Sequence, residues 1–204
     1  MSKSTAIKVG VTDFYAAVAT LGNDGTTVTY GTPRVIGGTA RVGVSVSQGE
    51  NKVYESDQLI RNNKRAASAT ITYESRTVSM EDEMELLHGL TAVAGGEYED
   101  GPDNQPKNVA VGWARRMSDG TYKCVWYYWC TGSKGDESDE TATDAESSNT
   151  ETYTFEAMAA PDNNKLRRRA VCENKTAMAA FFASVRKSTT GTETPGETPG
   201  EGNG

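Results

Sequence analysis

Hydrophobic and polar positions alternate along much of this chain, and the alternation predicts strands. In residues 39–47 small apolar side chains occupy every second position, with Thr, Arg, Gly and Ser between them. The same pattern returns in residues 67–73 and 150–158, and shorter alternating runs lie in residues 7–11 and 14–19. Successive side chains of a strand point to opposite faces. Each run therefore predicts a strand with one apolar face and one polar face.

The polar faces of three of these predicted strands share one composition, dominated by short hydroxyl side chains. Ser and Thr are common on the solvent side of strands, so ordinary exposed faces account for the pattern. A continuous polar wall across neighbouring strands accounts for it equally well. The residues concerned are Ser45, Ser47, Ser68, Thr70, Thr72, Glu74, Thr152, Thr154 and Glu156.

Two helices are indicated between and after the strands. Ser79 is a suitable N-cap, acidic residues follow it in the first turn, where the helix dipole favours them, and Gly89 can end the helix. A second helix is predicted over residues 174–185, because Met178, Phe181, Phe182 and Val185 are spaced at i, i+3, i+4 and i+7. Both helices are amphipathic, so we expect them to lie against the sheet.

Residues 122–130 form an apolar and aromatic run with no clear polar face. A strand of this kind is covered on both sides. The cover is either a helix of the same chain or a partner chain, and Trp126 and Trp129 are the candidate contacts for a partner.

Residues 48–67 separate two alternating runs and are mostly polar, with no glycine after Gly49. A tight hairpin needs only about two to five connecting residues. We therefore expect a long loop that reaches another surface. Its basic residues Arg61, Lys64 and Arg65, together with Arg167 and Arg168 further along, are predicted to contact acidic surfaces of other copies.

Length and charge narrow the possible classes of protein. A chain of 204 residues that is 36% hydrophobic can bury one core, so one domain is predicted over residues 1–187, with an acidic loop at about 132–149 and a TPGE-containing tail at 188–204. The net charge of −7 argues against general affinity for nucleic-acid phosphates. The absence of a signal-peptide core and the odd number of cysteines lead us to expect a protein of the cytoplasm.

Catalytic chemistry has little to build on in this sequence. The chain contains a single histidine, His88, with no cysteine beside it. Metal and nucleophilic sites need clusters of ligands or a nucleophile next to a base. We expect no catalytic residue, no metal, no cofactor and no small-molecule substrate, and hence a protein that is not an enzyme.

Several short motifs occur in an informative order. Residues 30–33, Tyr-Gly-Thr-Pro, precede a strand, and the polar segment contains Val-Tyr-Glu-Ser-Asp at 53–57. A Ser/Thr-faced strand and then an acidic helix ending Glu-Leu-Leu-His-Gly at 85–89 follow. In this order the chain resembles the major tail protein, or tail tube protein, family of long-tailed, non-contractile bacteriophages. The resemblance covers about residues 5–186, but the acidic segment at 132–149 has no match in it.

The resemblance implies a mainly β fold, a β-sandwich or partial barrel with a flanking helix, a second C-terminal helix and a long inter-subunit loop. It implies a structural subunit of the virion tail, assembled in the bacterial host cytoplasm into stacked hexameric rings around a channel for double-stranded DNA. Tape measure, tail terminator and distal tail proteins would be partners. The polar faces given above would line the channel. The interface residues would be Tyr54, Glu55, Asp57, Arg61, Lys64, Arg65, Trp126, Trp129, Arg167 and Arg168.

Two other functions fit the same sequence features. One is a binding module, such as a tail-tip or surface adhesion domain, in which the acidic loop and the aromatic strand meet a receptor. The other is a tube subunit of a related injection or secretion apparatus. Polymerisation distinguishes the binding module from a tail tube subunit. A tail tube subunit forms tubes, whereas an adhesion module forms a discrete oligomer.

Overall fold

The computed structural model describes residues 6–55, 58–90, 92–93, 95–99, 101–133 and 150–185, with the backbone alone for 50–55, 58–67, 80 and 87. The described residues form nine strands and two helices. The strands are β1 (Lys8–Leu21), β2 (Val28–Tyr30), β3 (Arg34–Val35), β4 (Gly38–Glu55), β5 (Gln58–Thr77), β6 (Asn108–Met117), β7 (Tyr122–Ser133), β8 (Glu151–Met158) and β9 (Arg167–Cys172). The helices are α1 (Met80–Asp82), continued by a π-helical turn (Glu83–Leu87), and α2 (Lys175–Phe182).

The strands belong to one antiparallel sheet in the order β2-β1-β6-β7-β8-β5-β4, with β3 beside β1 and β9 beside β7. β7 changes partner along its length, because residues 122–127 pair with β9 and residues 129–133 pair with β8. The predicted mainly β class with a flanking helix and a second C-terminal helix is confirmed.

The sheet curls so that strands distant in its order meet face to face. Phe14 of β1 stacks on Tyr73 of β5 and lies 5.7 Å from Phe155 of β8, measured between ring centroids. Trp113 also stacks on Phe14, with 5.7 Å between ring centroids. These side chains form the main core, whose rim is filled by the partly buried valines of β4. The curled sheet is therefore the sandwich-like arrangement expected of the alternating pattern.

The opposite face of β1, β6 and β7 is covered by α2. Trp126 meets Phe182 edge-on at 5.4 Å, and Tyr15 stacks on the same ring at 4.4 Å. Asn174 caps this helix by accepting a hydrogen bond from the Ala177 N–H at 2.9 Å. Residues 124–130 of this strand are thus buried on both faces within their own chain.

The first helix differs from its prediction. Ser79 does cap it, since its hydroxyl accepts from the Asp82 N–H at 3.1 Å. After one turn the hydrogen bonds change to the π pattern, in which an N–H donates to the carbonyl five residues earlier. The His88 N–H accordingly donates to the Glu83 carbonyl at 3.0 Å. Gly89 then ends the helix at a φ of 71°, and a Cβ there would lie 2.0 Å from the Gln105 carbonyl oxygen.

The prediction of a long loop at about 48–67 is wrong. β4 and β5 remain paired through it, from Gln48 with Ala66 to Glu55 with Gln58, as a continuous two-stranded ribbon. The prediction relied on missing alternation and polar composition. A ribbon beyond the core needs neither, because backbone N–H and C=O groups make its ladder.

Candidate functional site

The nine predicted hydroxyl and acidic residues lie on one face of three adjacent strands. Ser45 of β4 pairs with Thr70 of β5, and Thr70 pairs with Glu156 of β8. One row along, Thr72 pairs with Thr154, and Glu74 pairs with Thr152. Directly opposed residues of an antiparallel pair point to the same side. The register therefore aligns these side chains in rows that cross the sheet, and we call this surface the polar face.

The polar face continues onto β7. Thr131 pairs with Glu156, and Ser133 pairs with Thr154. The Ser133 hydroxyl donates to the Thr154 carbonyl at 3.2 Å. The surface ends at Met158, which is 52% exposed and pairs with the buried Trp129. Beyond that boundary the same face of the sheet is apolar and covered.

Charges on the polar face are few. Arg41 lies at its end in the row of Glu74, and its Nη1 is 3.1 Å from Glu74 Oε1. Glu156 is exposed in the row of Thr70. The remaining positions carry hydroxyl groups that can exchange hydrogen bonds with water but carry no charge.

The reverse side of the same three strands holds the polar face in place. Ile71, Tyr73, Tyr153 and Phe155 are buried there in the main core. Because the side-chain period of a strand is two, a shift of register by one residue would bury the hydroxyls and expose these apolar side chains. The core therefore fixes which residues face outward.

β4 ends the sheet, and among the described strands it pairs only with β5. Among the described residues, one edge of this 18-residue strand has no strand partner, although β1 packs close to part of the strand. An exposed edge of this length is a template for pairing with another chain unless it is covered.

The predicted interface residues are placed differently from one another. Tyr54, Glu55, Arg61, Lys64 and Arg65 belong to the ribbon of β4 and β5, and Asp57 lies outside the described residues. Tyr54 and Glu55 lie near the tip of the ribbon, whereas Lys64 and Arg65 pair with Glu50 and Gly49 nearer to the core, so the ribbon spreads these residues along its length.

Trp126 and Trp129 are 1% and 8% exposed in the single chain, which corrects the expectation that they provide cover for a neighbour. Their own chain already covers them, because α2 packs on this face.

Arg167 and Arg168 lie in β9, a strand that the sequence analysis did not predict. Arg167 donates to the Tyr127 hydroxyl at 2.7 Å, and its guanidinium carbon is 5.6 Å from the Tyr127 ring centroid. Arg167 is therefore held by the aromatic core, while Arg168 is exposed. The sequence analysis missed β9 because three consecutive arginines interrupt any alternation of apolar residues.

The nucleophilic and ligating side chains in the described part of the chain are dispersed. Cys124 and Cys172 adjoin, with 3.4 Å between their sulfur atoms, and both are buried. Burial raises the pKa of the Cys124 and Cys130 thiols well above their ordinary value. His88 is buried at the end of the π-helical turn with Glu83 Oε1 3.8 Å from its Nε2. Within the described ranges no group of three or more His, Cys, Asp or Glu residues is arranged to hold a metal ion.

The helices of the described part are also too short or too polar to cross a membrane.

Comparison of the chain with protein-family models gives no match. Comparison with curated proteins gives none either. The polar face and the unpaired β4 edge are the two features that bear most directly on function.

Proposed function

We propose that this chain is the tail tube subunit of a long-tailed bacteriophage, which assembles as stacked rings, six subunits to a ring, around a DNA channel. The observation that carries the proposal is the polar face. Its hydroxyl rows run in register across four strands and are exposed or half-buried in the described part of the chain. The order of motifs from residue 30 to residue 89 resembles that of major tail proteins and supports the same function.

A surface of this composition suits passage of DNA without binding. Affinity for DNA comes mainly from cations that neutralise phosphates. Arg41, in the row of Glu74, is already paired with that carboxylate. Carboxylates such as Glu156 repel phosphates over a screening length of about 8 Å at physiological salt. A channel lined in this way would let a duplex move along it.

The β4 edge supports assembly of several copies. Pairing of this edge with a strand of a neighbouring copy would join the polar faces of successive subunits into one wall. Closure of the ring would then leave no exposed edge. The ribbon at the end of β4 and β5 extends beyond the core, so it is placed to contact a further subunit or ring.

Electron microscopy of the purified protein tests the proposal. At high concentration we expect rings or tubes in negative stain. Monomers alone under every condition of salt and concentration would refute it. A discrete oligomer that binds cells and never polymerises would favour the adhesion module instead.

A shortened ribbon tests the role of β4 and β5 beyond the core. Replacement of residues 51–63 by Asn-Gly keeps the pair formed by Glu50 and Lys64 and closes the hairpin with a two-residue turn. We expect the variant to fold with the unfolding midpoint of the natural chain but to form no tubes. If this variant forms normal tubes, the ribbon is not required for assembly.

Single cysteines identify the face that lines the tube. Thr70→Cys places an exposed thiol on the polar face, and Thr20→Cys places one on β1, away from that face. In assembled tubes we expect a polymer-linked maleimide to label the second variant and not the first, while both react as monomers. Equal labelling of the two in tubes would place the polar face outside the channel.

A further inference from the structure

A cavity of about 320 Å³ opens between β6, β7 and β9, on the side of the sheet that carries the main core. Trp113, Val125 and Arg169 form one row across the three strands, and Arg115, Lys123 and Val171 form the next. The cavity lies where β8 has left β7 and β9 has taken its place. Its size is at the lower end of the range for ligand sites, about 300–1,000 Å³.

The cavity is strongly basic in an acidic chain. Arg115, Lys123 and Arg169 line it, and its lining contains no carboxylate. Among the described residues none of the three forms an ion pair. Like charges held together around a cavity repel one another, and an anion between them would relieve that repulsion.

The cavity also has an aromatic lining, which includes Trp113 and Tyr127. The Trp113 side chain lines it and is 1% exposed, and its indole N–H has no hydrogen-bond partner in the described part of the chain. A buried donor without an acceptor costs about 1–3 kcal/mol. Trp113 is held rigidly, stacked on Tyr127 with 5.7 Å between ring centroids. The buried Trp113 ring therefore forms a rigid wall of the cavity beside the three cations.

We propose that this cavity binds carboxylate side chains of an acidic peptide, and that the peptide is the 136–146 segment of another copy of this chain. That segment holds six acidic residues within eleven, a density found nowhere else in the sequence. Guanidinium groups pair with carboxylates through two parallel hydrogen bonds. The second copy as the source rests on the proposed self-assembly.

The position of the segment favours another copy over the chain's own cavity. It follows Ser133, the last residue of β7, whereas Lys123 is near the first. At about 3.3 Å per residue the two ends of that stretch are about 33 Å apart. An acidic segment tethered at one end of β7 is therefore better placed to meet the cavity of a neighbour.

Binding of a synthetic peptide to the whole chain tests the proposal. The probe is a fluorescein-labelled peptide of residues 135–146, GDESDETATDAE, measured by anisotropy at low salt. The control peptide, GNQSNQTATNAQ, has the same length and no charge. We expect the acidic peptide to bind, the neutral one not to bind, and binding to weaken as salt rises.

Matched variants locate the site. Arg115→Gln and Arg169→Gln should each weaken peptide binding about tenfold or more, since each removes a charge-assisted hydrogen bond. Arg116→Gln changes the next residue of β6, which points to the opposite side, and should leave binding unchanged. Circular dichroism and urea unfolding check that all three fold alike. An equal loss of peptide affinity in Arg116→Gln would show that binding depends only on the overall charge of the protein, and it would overturn the proposed site.

Two further outcomes separate this proposal from the proposed function. Failure of the peptide to bind while tubes still form would refute the cavity site and leave the tube subunit standing. Binding that depends on Arg115 and Arg169 in a protein that never forms tubes would support the site and refute the tube. Binding of citrate, but not of the peptide, would overturn the peptide as ligand.

Discussion

Tyr73 of β5 stacks on Phe14 of β1 with 4.1 Å between ring centroids and 17° between ring planes. The two strands are not neighbours, because β6, β7 and β8 lie between them in the sheet. The contact is therefore made across the interior of the curled sheet. Trp113 and Tyr153 extend the stack on either side, so one row of aromatic rings joins the two halves of the core.

Removal of the Phe14 ring should destabilise the fold strongly. Phe14→Ala deletes a fully buried side chain that contacts rings on three other strands. We expect the free energy of unfolding to fall by about 3–5 kcal/mol. Urea unfolding measures it, with Phe14→Leu as a smaller change at the same position and Val9→Ala, on an exposed stretch of the same strand, as a control. Equal effects of Phe14→Ala and Val9→Ala would contradict the role of the stack.

Gly112 should tolerate no side chain. A Cβ at this position would lie 2.7 Å from the Trp126 ring and 2.8 Å from the Val125 carbonyl oxygen. Gly112→Ala should therefore lower the free energy of unfolding by about 1–3 kcal/mol through overpacking. Gly10→Ala is the matched control, because a Cβ there meets nothing within 4 Å. A Gly112→Ala variant as stable as Gly10→Ala would show that Trp126 can move.

Asp24 should make the stability of the turn between β1 and β2 depend on pH. Its carboxylate accepts from the Thr27 hydroxyl and from the N–H groups of Thr27 and Thr26, and these bonds lower its pKa well below the ordinary value. A group with a depressed folded-state pKa adds stability above its unfolded pKa, about 3.9, and loses it as pH falls further.

The comparison for Asp24 is Asp24→Asn. We expect the natural chain to be more stable than the variant at pH 6 and the difference to shrink as pH is lowered from about 4 towards the folded-state pKa. Urea unfolding at a series of pH values measures it. A difference that is constant over this range would assign the effect to something other than the charge.

The native cysteines should resist thiol reagents. All three are buried, and the raised pKa of Cys124 and Cys130 keeps these thiols protonated at pH 8. With a disulfide reagent we expect reaction in the folded protein to be at least about 100-fold slower than in urea, since the thiolate is the reactive form. Thr152→Cys, an exposed position, should react at once. Equally fast reaction of the native cysteines would show that their side of the sheet opens readily.

The polar face was largely predictable from the sequence, and its surroundings were not. Ser45, Thr70 and Glu156 could be assigned to polar sides of strands because each lies in an alternating run. Their alignment in one row depends on which strands pair and in which register. The basic cavity was missed for the same reason. Arg115, Lys123 and Arg169 come from three strands and meet only through pairing.

Local pattern determined the class of fold, the apolar and polar sides of β5 and β8, and the position of α2, because side-chain periodicity is a property of neighbouring residues. Tertiary structure decided the partners of each strand, the closure of the sheet through Phe14 and Tyr73, and the pairing that turns residues 48–67 into a ribbon. It also decided that Trp126 lies under α2 and not at a surface. Periodicity in the sequence indicates which face of a strand or helix a side chain lies on. The residues that the side chain contacts depend on the tertiary packing.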